Sequence, residues 1–224
     1  MTKKQRAHWG VIFDVDGTMV DNGEYHQAAW TQLGARYGKS ITAQFYQEHI
    51  HAHTNDSIVR ILFGDVSDEA IAKISSEKEI IYRELYRPVI KEIAGLTDLL
   101  KALKDEAVPC AAASNSPKEN VDMVLDELDI RHYFDVVINN DEVQKGKPDP
   151  EVLLAAAVKM GLRPGRCVVF EDSVSGFKAA RRAWMPYIAI TAGADEQTLE
   201  FISGHRAHRD FTTVTSVDIE PLVG

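Results

Sequence analysis

Residues 8–18 read HWGVIFDVDGT, an apolar run that ends in two carboxylates, a glycine and a hydroxyl. The apolar part has the length of a buried strand, and side chains two positions apart along a strand point to the same side. We therefore expect Asp14 and Asp16 to lie together where this strand ends. The alternative for this stretch alone is a hairpin, because Asp-Gly is among the commonest turn dipeptides.

The chain after this strand changes first to helical periodicity and then to an alternation of helices and strands. Four helices are predicted at about 21–38, 42–50, 55–63 and 68–87 without an intervening strand. From Gly95 onward helices and strands alternate, which implies a parallel sheet with helices on both faces. The later strands are predicted at 108–114, 134–139, 167–172 and 187–191.

The first strand must pair with the later ones, because a single strand cannot form a sheet. We therefore predict an α/β fold, a doubly wound parallel sheet with an inserted all-helical domain. The predicted boundaries assign residues 1–21 and 91–224 to the α/β domain and residues 22–90 to the helical insertion.

The composition indicates an ordinary globular protein that is acidic. With 224 residues, 45% of them hydrophobic, the chain can bury one large core or two modest ones. Its net charge of -9 argues against nucleic-acid partners, which require clustered Lys and Arg. We find no apolar run of membrane-spanning length and no secretory pattern, so we expect a cytoplasmic monomer without a membrane partner. The two cysteines, Cys110 and Cys167, lie in apolar runs and are expected to be small buried residues in a reducing compartment.

Polar side chains follow the predicted strands at the edge where a doubly wound sheet binds its ligands. The second strand ends in Ser114, the fourth ends in Glu171 and Asp172, and Lys147 precedes the helix between the third and fourth. Several carboxylates this close require a cation, and Mg²⁺ is a hard ion that prefers oxygen ligands. Lys147 supplies a positive charge that could hold a phosphate against these acids.

The segment 114–119 reads SNSPKE and predicts the start of a helix. In this interpretation Ser116 is the N-cap, Pro117 is the first helical residue and Glu119 completes a capping box. Free backbone amides at such a helix start, beside the Ser114 hydroxyl, could bind a phosphate. The alternative is a capped helix that binds nothing.

Four motifs, in this order, resemble those of the haloacid dehalogenase-like (HAD) superfamily. They are DVDGT at 14–18, SN at 114–115, GKPDP at 146–150 and EDS at 171–173. The resemblance covers nearly the whole chain. It is closest to the branch with a helical cap after the first motif, which contains β-phosphoglucomutase and many sugar-phosphate phosphatases. The halide-removing members look less similar, because they lack the second acid that Asp16 provides.

The resemblance implies a role for each matched residue. Asp14 would be the nucleophile of a phosphoryl transfer, and Asp16 the general acid and base. Mg²⁺ would be held by the Asp14 carboxylate, the Asp16 backbone carbonyl and Asp172, with Glu171 in support. The residues implied to hold the substrate's phosphoryl group or to border its site are Ser114, the Asn115 amide, Lys147 and Thr18.

The helical cap separates phosphatase from phosphomutase, because the two share the core motifs. By resemblance to β-phosphoglucomutases, His26 and Lys78 would engage the sugar phosphate. His53 stands in the loop where an Arg is expected, and a histidine holds a second phosphate less well than a bidentate Arg. We therefore predict an enzyme that hydrolyses a small phosphomonoester, with a phosphosugar mutase as the alternative and a non-catalytic binding module as a third hypothesis.

Two further features depart from expectation. His49, His51 and His53 are interpreted as a solvated loop, with a zinc site as the alternative. Trp184 occupies a helix end that favours a left-handed residue, where similar proteins usually have glycine. A tryptophan there indicates either a packing contact or a different cap.

Overall fold

The computed structural model describes residues 6–51, 53–193, 196–203 and 205–223. Cα proximity divides the chain into two compact units. One unit combines the described residues up to Asp21 with those from Ile90 onward, and the other spans Asn22–Val89.

The described residues of the second unit form four α-helices. They are α1 (Gly23–Arg36), α2 (Ala43–His49), α3 (Asn55–Phe63) and α4 (Asp68–Tyr86). Hydroxyl side chains cap three of them: Thr42, Thr54 and Ser67 accept from backbone amides in the first turns of α2, α3 and α4. Helix α4 packs against both α1 and α3, and its buried face combines apolar residues with Lys78 and Glu79.

A parallel sheet forms the centre of the first unit. Its strands are β1 (Gly10–Phe13), β2 (Cys110–Ala113), β3 (Val136–Ile138), β4 (Cys167–Glu171), β5 (Tyr187–Ile190) and β6 (Ala207–His208). They are arranged in the order β3-β2-β1-β4-β5-β6, and every pair is parallel. The chain fills the sheet on one side of β1 and then on the other, so the topological switch point lies at β1 and β4. The predicted doubly wound α/β fold is confirmed.

Helices cover this sheet and bury its apolar strands. They are α5 (Leu96–Asp105), α6 (Lys118–Glu127), α7 (Glu151–Met160), α8 (Val174–Arg182), α9 (Glu196–Phe201) and α10 (Ser216–Ile219). Short 3-10 turns lie at Arg87–Val89, Arg131–Tyr133, Asn140–Glu142, Pro164–Arg166 and Glu220–Leu222. Helix α7 packs on β2 and β3, where Val152, Leu153 and Ala156 join the core with β1 residue Ile12.

Several local predictions differ from the structure. The N-cap predicted at Ser116 is wrong, because α6 begins at Lys118, its N-cap is Pro117 and no side chain caps it. Strand β6 and helices α9 and α10 were not predicted. Of the two alternatives for Trp184, the packing contact is not found: the residue adopts the left-handed backbone (φ 58°), and its side chain is 86% exposed.

Two simpler expectations can be compared directly with the described residues. Cys110 and Cys167 are buried thiols outside any disulfide, as predicted. Burial raises the pKa of both thiols, so they behave as small apolar residues. Within the described ranges, the longest apolar helices fall short of what crossing a membrane requires.

Candidate functional site

The candidate site lies at the carboxyl end of β1, between the ends of two neighbouring strands. Asp14 directly follows β1, Ser114 follows β2 and Asp172 follows β4. The amide of Asp14 still donates to the Phe170 carbonyl at 3.0 Å, so the ladder extends to the first residue of the acidic motif. The sheet register therefore brings these three side chains to one edge, at the switch point.

Lys147 makes a buried ion pair with two carboxylates of this site. Its Nζ lies 2.6 Å from Asp14 Oδ1 and 2.7 Å from Glu171 Oε2, and its side chain is only 3% exposed. A buried ammonium is costly unless it is paired and hydrogen-bonded, and both carboxylates meet that need. Asp14, Glu171 and Lys147 thus form a single buried charge network.

The Asn115 side chain holds the loop that carries Lys147. Its Oδ1 accepts from the Lys147 amide at 2.8 Å, and its Nδ2 donates to the Lys147 carbonyl at 3.1 Å. At Gly146, an added Cβ would lie 2.8 Å from Asn115 Oδ1, so a larger residue there would displace the Asn115 side chain. The Asn115 side chain is therefore occupied with the protein backbone.

Both oxygens of Glu171 are engaged. Oε2 accepts from Lys147, and Oε1 accepts from the Ser173 hydroxyl at 2.8 Å and from the amides of Ser173 and Asp172 at 3.2 and 3.3 Å. Gly176 lies so close that a Cβ there would be 1.9 Å from Glu171 Cδ. The carboxylate of Glu171 is thus fixed in one orientation.

Three carboxylates of the site lie close enough to hold a metal ion. One oxygen each from Asp14, Glu171 and Asp172 lies within 4.8 Å of the others, and this is the one such group among the described residues. Burial and the Glu171 charge raise the pKa of Asp14 to about 7, although Lys147 opposes this. Burial, Glu171 and Asp14 raise the pKa of Asp172 well above its ordinary value. One lysine does not balance three carboxylates, and an oxygen ligand set with excess negative charge fits a divalent cation such as Mg²⁺.

Asp16 interacts with two hydroxyls that follow β2. Its Oδ2 accepts from Ser116 Oγ at 2.6 Å and from Ser114 Oγ at 3.2 Å. The Ser116 amide in turn donates to Ser114 Oγ at 3.0 Å. Ser116 was missed as a site residue, because its position before Pro117 favoured a helix cap. Its spacing of two from Ser114, directly after a strand, is the signal that could have identified it.

Thr18 and Gly17 form the turn that packs against Asp172. Thr18 is fully buried, and its Oγ1 donates to Asp172 Oδ1 at 3.3 Å. Gly17 has φ +84°, and a Cβ there would lie 1.9 Å from Asp172 Oδ2. Both features require glycine at this position. The hydroxyl of Thr18 thus contacts a carboxylate of the acidic group.

The predicted cap residues lie within the helical unit, and two of the three meet there. Lys78 Nζ lies 2.8 Å from His26 Nδ1. The ring of His53 has a different neighbour, since its Nδ1 lies 3.0 Å from the His51 carbonyl oxygen. His49 and His53 are exposed, but the loop predicted for His49 is wrong, because this residue is the last of helix α2. The three histidines form no metal-binding group among the described residues, so the alternative zinc site is not found.

Comparison with known proteins identifies the family. The family model described as haloacid dehalogenase-like hydrolase matches residues 11–190. Fructose-1-phosphate phosphatase of Escherichia coli (strain K12) is 32% identical over 184 residues, which cover 81% of this chain and 95% of that protein. β-Phosphoglucomutase of Bacillus subtilis (strain 168) is 28% identical over 192 residues, or 82% and 83% of the two chains.

A solved structure agrees with this assignment. A HAD hydrolase of family IA, variant 3, from Entamoeba histolytica is similar with a TM-score of 0.88 and 30% identity, over 96% of this chain and 99% of that chain. The acidic, hydroxyl and lysine motifs of the site, from Asp14 to Ser173, all fall inside the matched range. The chain therefore belongs to the haloacid dehalogenase-like hydrolase family and is an enzyme of that family.

Proposed function

We propose that the protein is a Mg²⁺-dependent phosphatase that hydrolyses a small phosphomonoester, with a sugar phosphate as the preferred class, through an aspartyl-phosphate intermediate. One observation carries the proposal: the Asp14 carboxylate at the end of β1 pairs with buried Lys147 and lies close enough to the Asp172 carboxylate for both to bind the same metal ion. The family, and relatives whose names are those of sugar-phosphate enzymes, support the same class.

In the proposed reaction, Asp14 and Asp16 divide the chemistry. An oxygen of Asp14 attacks phosphorus, the bond from phosphorus to the leaving oxygen breaks, and Asp16 donates a proton to that oxygen. Water then attacks the phosphorus of the aspartyl-phosphate, Asp16 accepts its proton, and inorganic phosphate leaves. The Ser116 hydroxyl, 2.6 Å from Asp16 Oδ2, can donate to ionised Asp16 and accept from its protonated form, so it supports one orientation throughout.

Lys147 and the acidic group provide charge compensation in this proposal. Asp14 is a nucleophile only when it is ionised. Its pKa is raised to about 7, and a further positive charge beside the carboxylate would lower this pKa and favour the ionised form. Mg²⁺, held by Asp14, Asp172 and the Asp16 carbonyl, would supply that charge and orient the phosphoryl group. Glu171, whose oxygens already accept from Lys147 and Ser173, supports the site by fixing Lys147.

The remaining residues bind the substrate in this proposal. Ser114, Lys147 and the Asn115 backbone amide contact the phosphoryl oxygens. Thr18 orients Asp172, with which it is hydrogen-bonded. In the helical unit, His26 and Lys78 recognise the organic part of the substrate, and His53 is a weaker candidate for the same role. The partner is therefore a small phosphorylated molecule, and neither nucleic acid nor a membrane is involved.

Replacing Asp14 tests the enzyme proposal. We expect Asp14→Asn to lower the kcat/KM for p-nitrophenyl phosphate by roughly 10³-fold or more, because the amide is not a nucleophile. Asp98→Asn, an exposed substitution in the first turn of α5, is the matched control and should stay within about twofold. Unchanged hydrolysis by Asp14→Asn would overturn the proposal.

A product assay separates hydrolysis from the mutase alternative. The enzyme is supplied with β-glucose 1-phosphate and catalytic glucose 1,6-bisphosphate, and both free phosphate and glucose 6-phosphate are measured over time. Hydrolysis predicts free phosphate in step with substrate loss. Formation of glucose 6-phosphate without free phosphate would favour the mutase instead.

A further inference from the structure

A second buried lysine network lies inside the helical unit, and its acidic member has no role in the reaction above. Lys78 and Glu79 are 2% and 6% exposed on helix α4. Lys78 Nζ lies 3.0 Å from Glu79 Oε1, and the same oxygen accepts from Asn55 Nδ2 of helix α3 at 2.7 Å. These two donors stabilise a carboxylate that is removed from water.

The surroundings of Lys78 favour its charged form. Besides the Glu79 carboxylate, its Nζ lies 5.4 Å from the centre of the Tyr82 ring and 5.8 Å from that of Trp30. Aromatic faces and a carboxylate both stabilise an ammonium. A charged lysine has only donors, so His26 Nδ1, 2.8 Å away, must accept from it and carries no proton.

The ring of His26 is held in its orientation by Tyr82. The two rings stack with centroids 4.0 Å apart and an interplanar angle of 6°. The Tyr82 hydroxyl accepts from Asn22 Nδ2 at 2.7 Å, which fixes the phenol from the other end. With Nδ1 facing the ammonium, a neutral His26 ring carries its proton on Nε2.

We propose that Glu79 and Asn55 are positioning residues, which act through Lys78 to hold His26 as the neutral Nε2–H tautomer. Asn55 orients the Glu79 carboxylate, Glu79 keeps Lys78 charged and in place, and Lys78 occupies Nδ1. His26 then presents one fixed donor, Nε2–H. The Nε2–H donor suits an oxygen acceptor, such as a hydroxyl or ring oxygen of a sugar phosphate. This assignment of a substrate to the donor rests on the proposed function.

The tautomer can be measured without any substrate. We would record two-bond ¹H–¹⁵N correlations of the ¹⁵N-histidine-labelled full chain at pH 7 and assign His26 with His26→Gln. The proposal expects the Nε2–H pattern. A wild-type spectrum with the Nδ1–H or imidazolium pattern for His26 would overturn the proposal. This measurement needs His26→Gln for the assignment and no other variant.

Variants test whether Glu79 and Lys78 cause this state. Glu79→Leu and Lys78→Met should each move the His26 signals away from the pure Nε2–H pattern, because the first removes the carboxylate that orients the ammonium and the second removes the ammonium itself. Glu84→Gln, an exposed acid on the same helix, should leave them unchanged. If both variants fold and keep the wild-type His26 pattern, the positioning role is wrong.

Kinetics then separate this inference from the proposed function. For the sugar phosphate that is hydrolysed fastest in a panel, Glu79→Leu should lower kcat/KM by about tenfold, while p-nitrophenyl phosphate, which lacks the sugar, should change less. Equal losses on both would overturn the positioning role. An Nε2–H pattern in a chain without phosphatase activity would instead leave the tautomer standing and refute the proposed function.

Discussion

Among the described residues, each unit buries one lysine beside carboxylates, and the two sites differ in the carboxylates that gather there. In the helical unit, Lys78 pairs with the Glu79 carboxylate and contacts His26 Nδ1. At the sheet edge, Lys147 meets Asp14 and Glu171, and Asp172 adds a third carboxylate. The helical unit thus contains an ion pair, whereas the three carboxylates around Lys147 leave excess negative charge at the sheet edge.

This difference explains where ligands are needed. Buried charges that are paired and hydrogen-bonded form a rigid element, which suits a part that selects a substrate by shape. At the sheet edge, burial and then the neighbouring carboxylates raise the pKa of Asp14 and of Asp172, and a bound cation would offset this excess negative charge. We therefore interpret the sheet edge as the place of chemistry and the helical network as a preformed recognition element.

Removing Lys147 should have the largest effect, because it deepens the imbalance. We expect Lys147→Met to lower kcat/KM by roughly 10²-fold or more and to lower the free energy of unfolding by about 3 kcal/mol at pH 8. The loss of stability should be smaller at pH 5, where protons neutralise Asp14 and Asp172. Urea unfolding at both pH values measures this.

The control for this substitution is Lys145→Met, two residues earlier and exposed. It should change the free energy of unfolding by no more than about 0.5 kcal/mol. Equal destabilisation at pH 5 and pH 8 by Lys147→Met would show that its role is packing rather than charge compensation.

Magnesium should stabilise the protein more strongly as the pH rises. The pKa of Asp14 is raised from its ordinary value of 3.8 to about 7, so the folded state favours the protonated carboxyl. Without a cation, this contribution to stability is complete below about pH 4 and is lost as the pH rises through about 7; Asp172 acts with the same sign. Mg²⁺ binds the ionised carboxylates, so its stabilisation should grow over that interval, to about 1–3 kcal/mol near saturation.

Thermal unfolding with and without Mg²⁺, at pH 5 and pH 8, tests this expectation. Asp172→Asn is the matched variant, since it keeps the shape of the side chain and removes one charge from the acidic group. We expect it to abolish most of the increase in Tm. A Tm increase that is the same at both pH values, or that persists in Asp172→Asn, would contradict a metal site made of these carboxylates.

Double substitutions give the smallest effect and compare the two lysines directly. Lys78→Met alone removes the ammonium that pairs with buried Glu79, and adding Glu79→Leu should recover about 1–2 kcal/mol of the lost stability. At the sheet edge, adding Glu171→Leu to Lys147→Met should recover much less, because Asp14 and Asp172 remain. If the second substitution recovered a similar free energy of unfolding in both units, the inferred excess of negative charge at the sheet edge would be wrong.

Site residues whose position depends only on the sequence pattern around them were the easiest to predict. Asp14, Ser114 and Asp172 each follow a strand whose apolar run is visible in the sequence, and parallel pairing alone brings such positions to one edge. The alternation of helices and strands after Gly95 fixed the fold class for the same reason. Strand β6 has two residues, too few for a periodic signal.

Contacts between distant residues could not be predicted. Ser116 looked like a helix cap because Pro117 follows it, yet its hydroxyl donates to Asp16, a hundred positions away. The pairing of Asn115 with the Lys147 backbone, and of Asn55 with Glu79, likewise depends on tertiary packing that leaves no local pattern. For Trp184, the left-handed backbone could be predicted from its place at a helix end, whereas the exposure of its side chain could not.

The most direct test of the central claim is to trap the phosphoryl group on Asp14. In Asp16→Ala, p-nitrophenyl phosphate should still phosphorylate the enzyme, because its leaving group needs no proton, while the hydrolysis step lacks its base. We predict a burst of one equivalent of nitrophenolate, and rapid acid quench with peptide mass spectrometry should find the phosphoryl group on Asp14. Steady nitrophenolate release without a burst, or a phosphoryl group on another residue, would contradict the account.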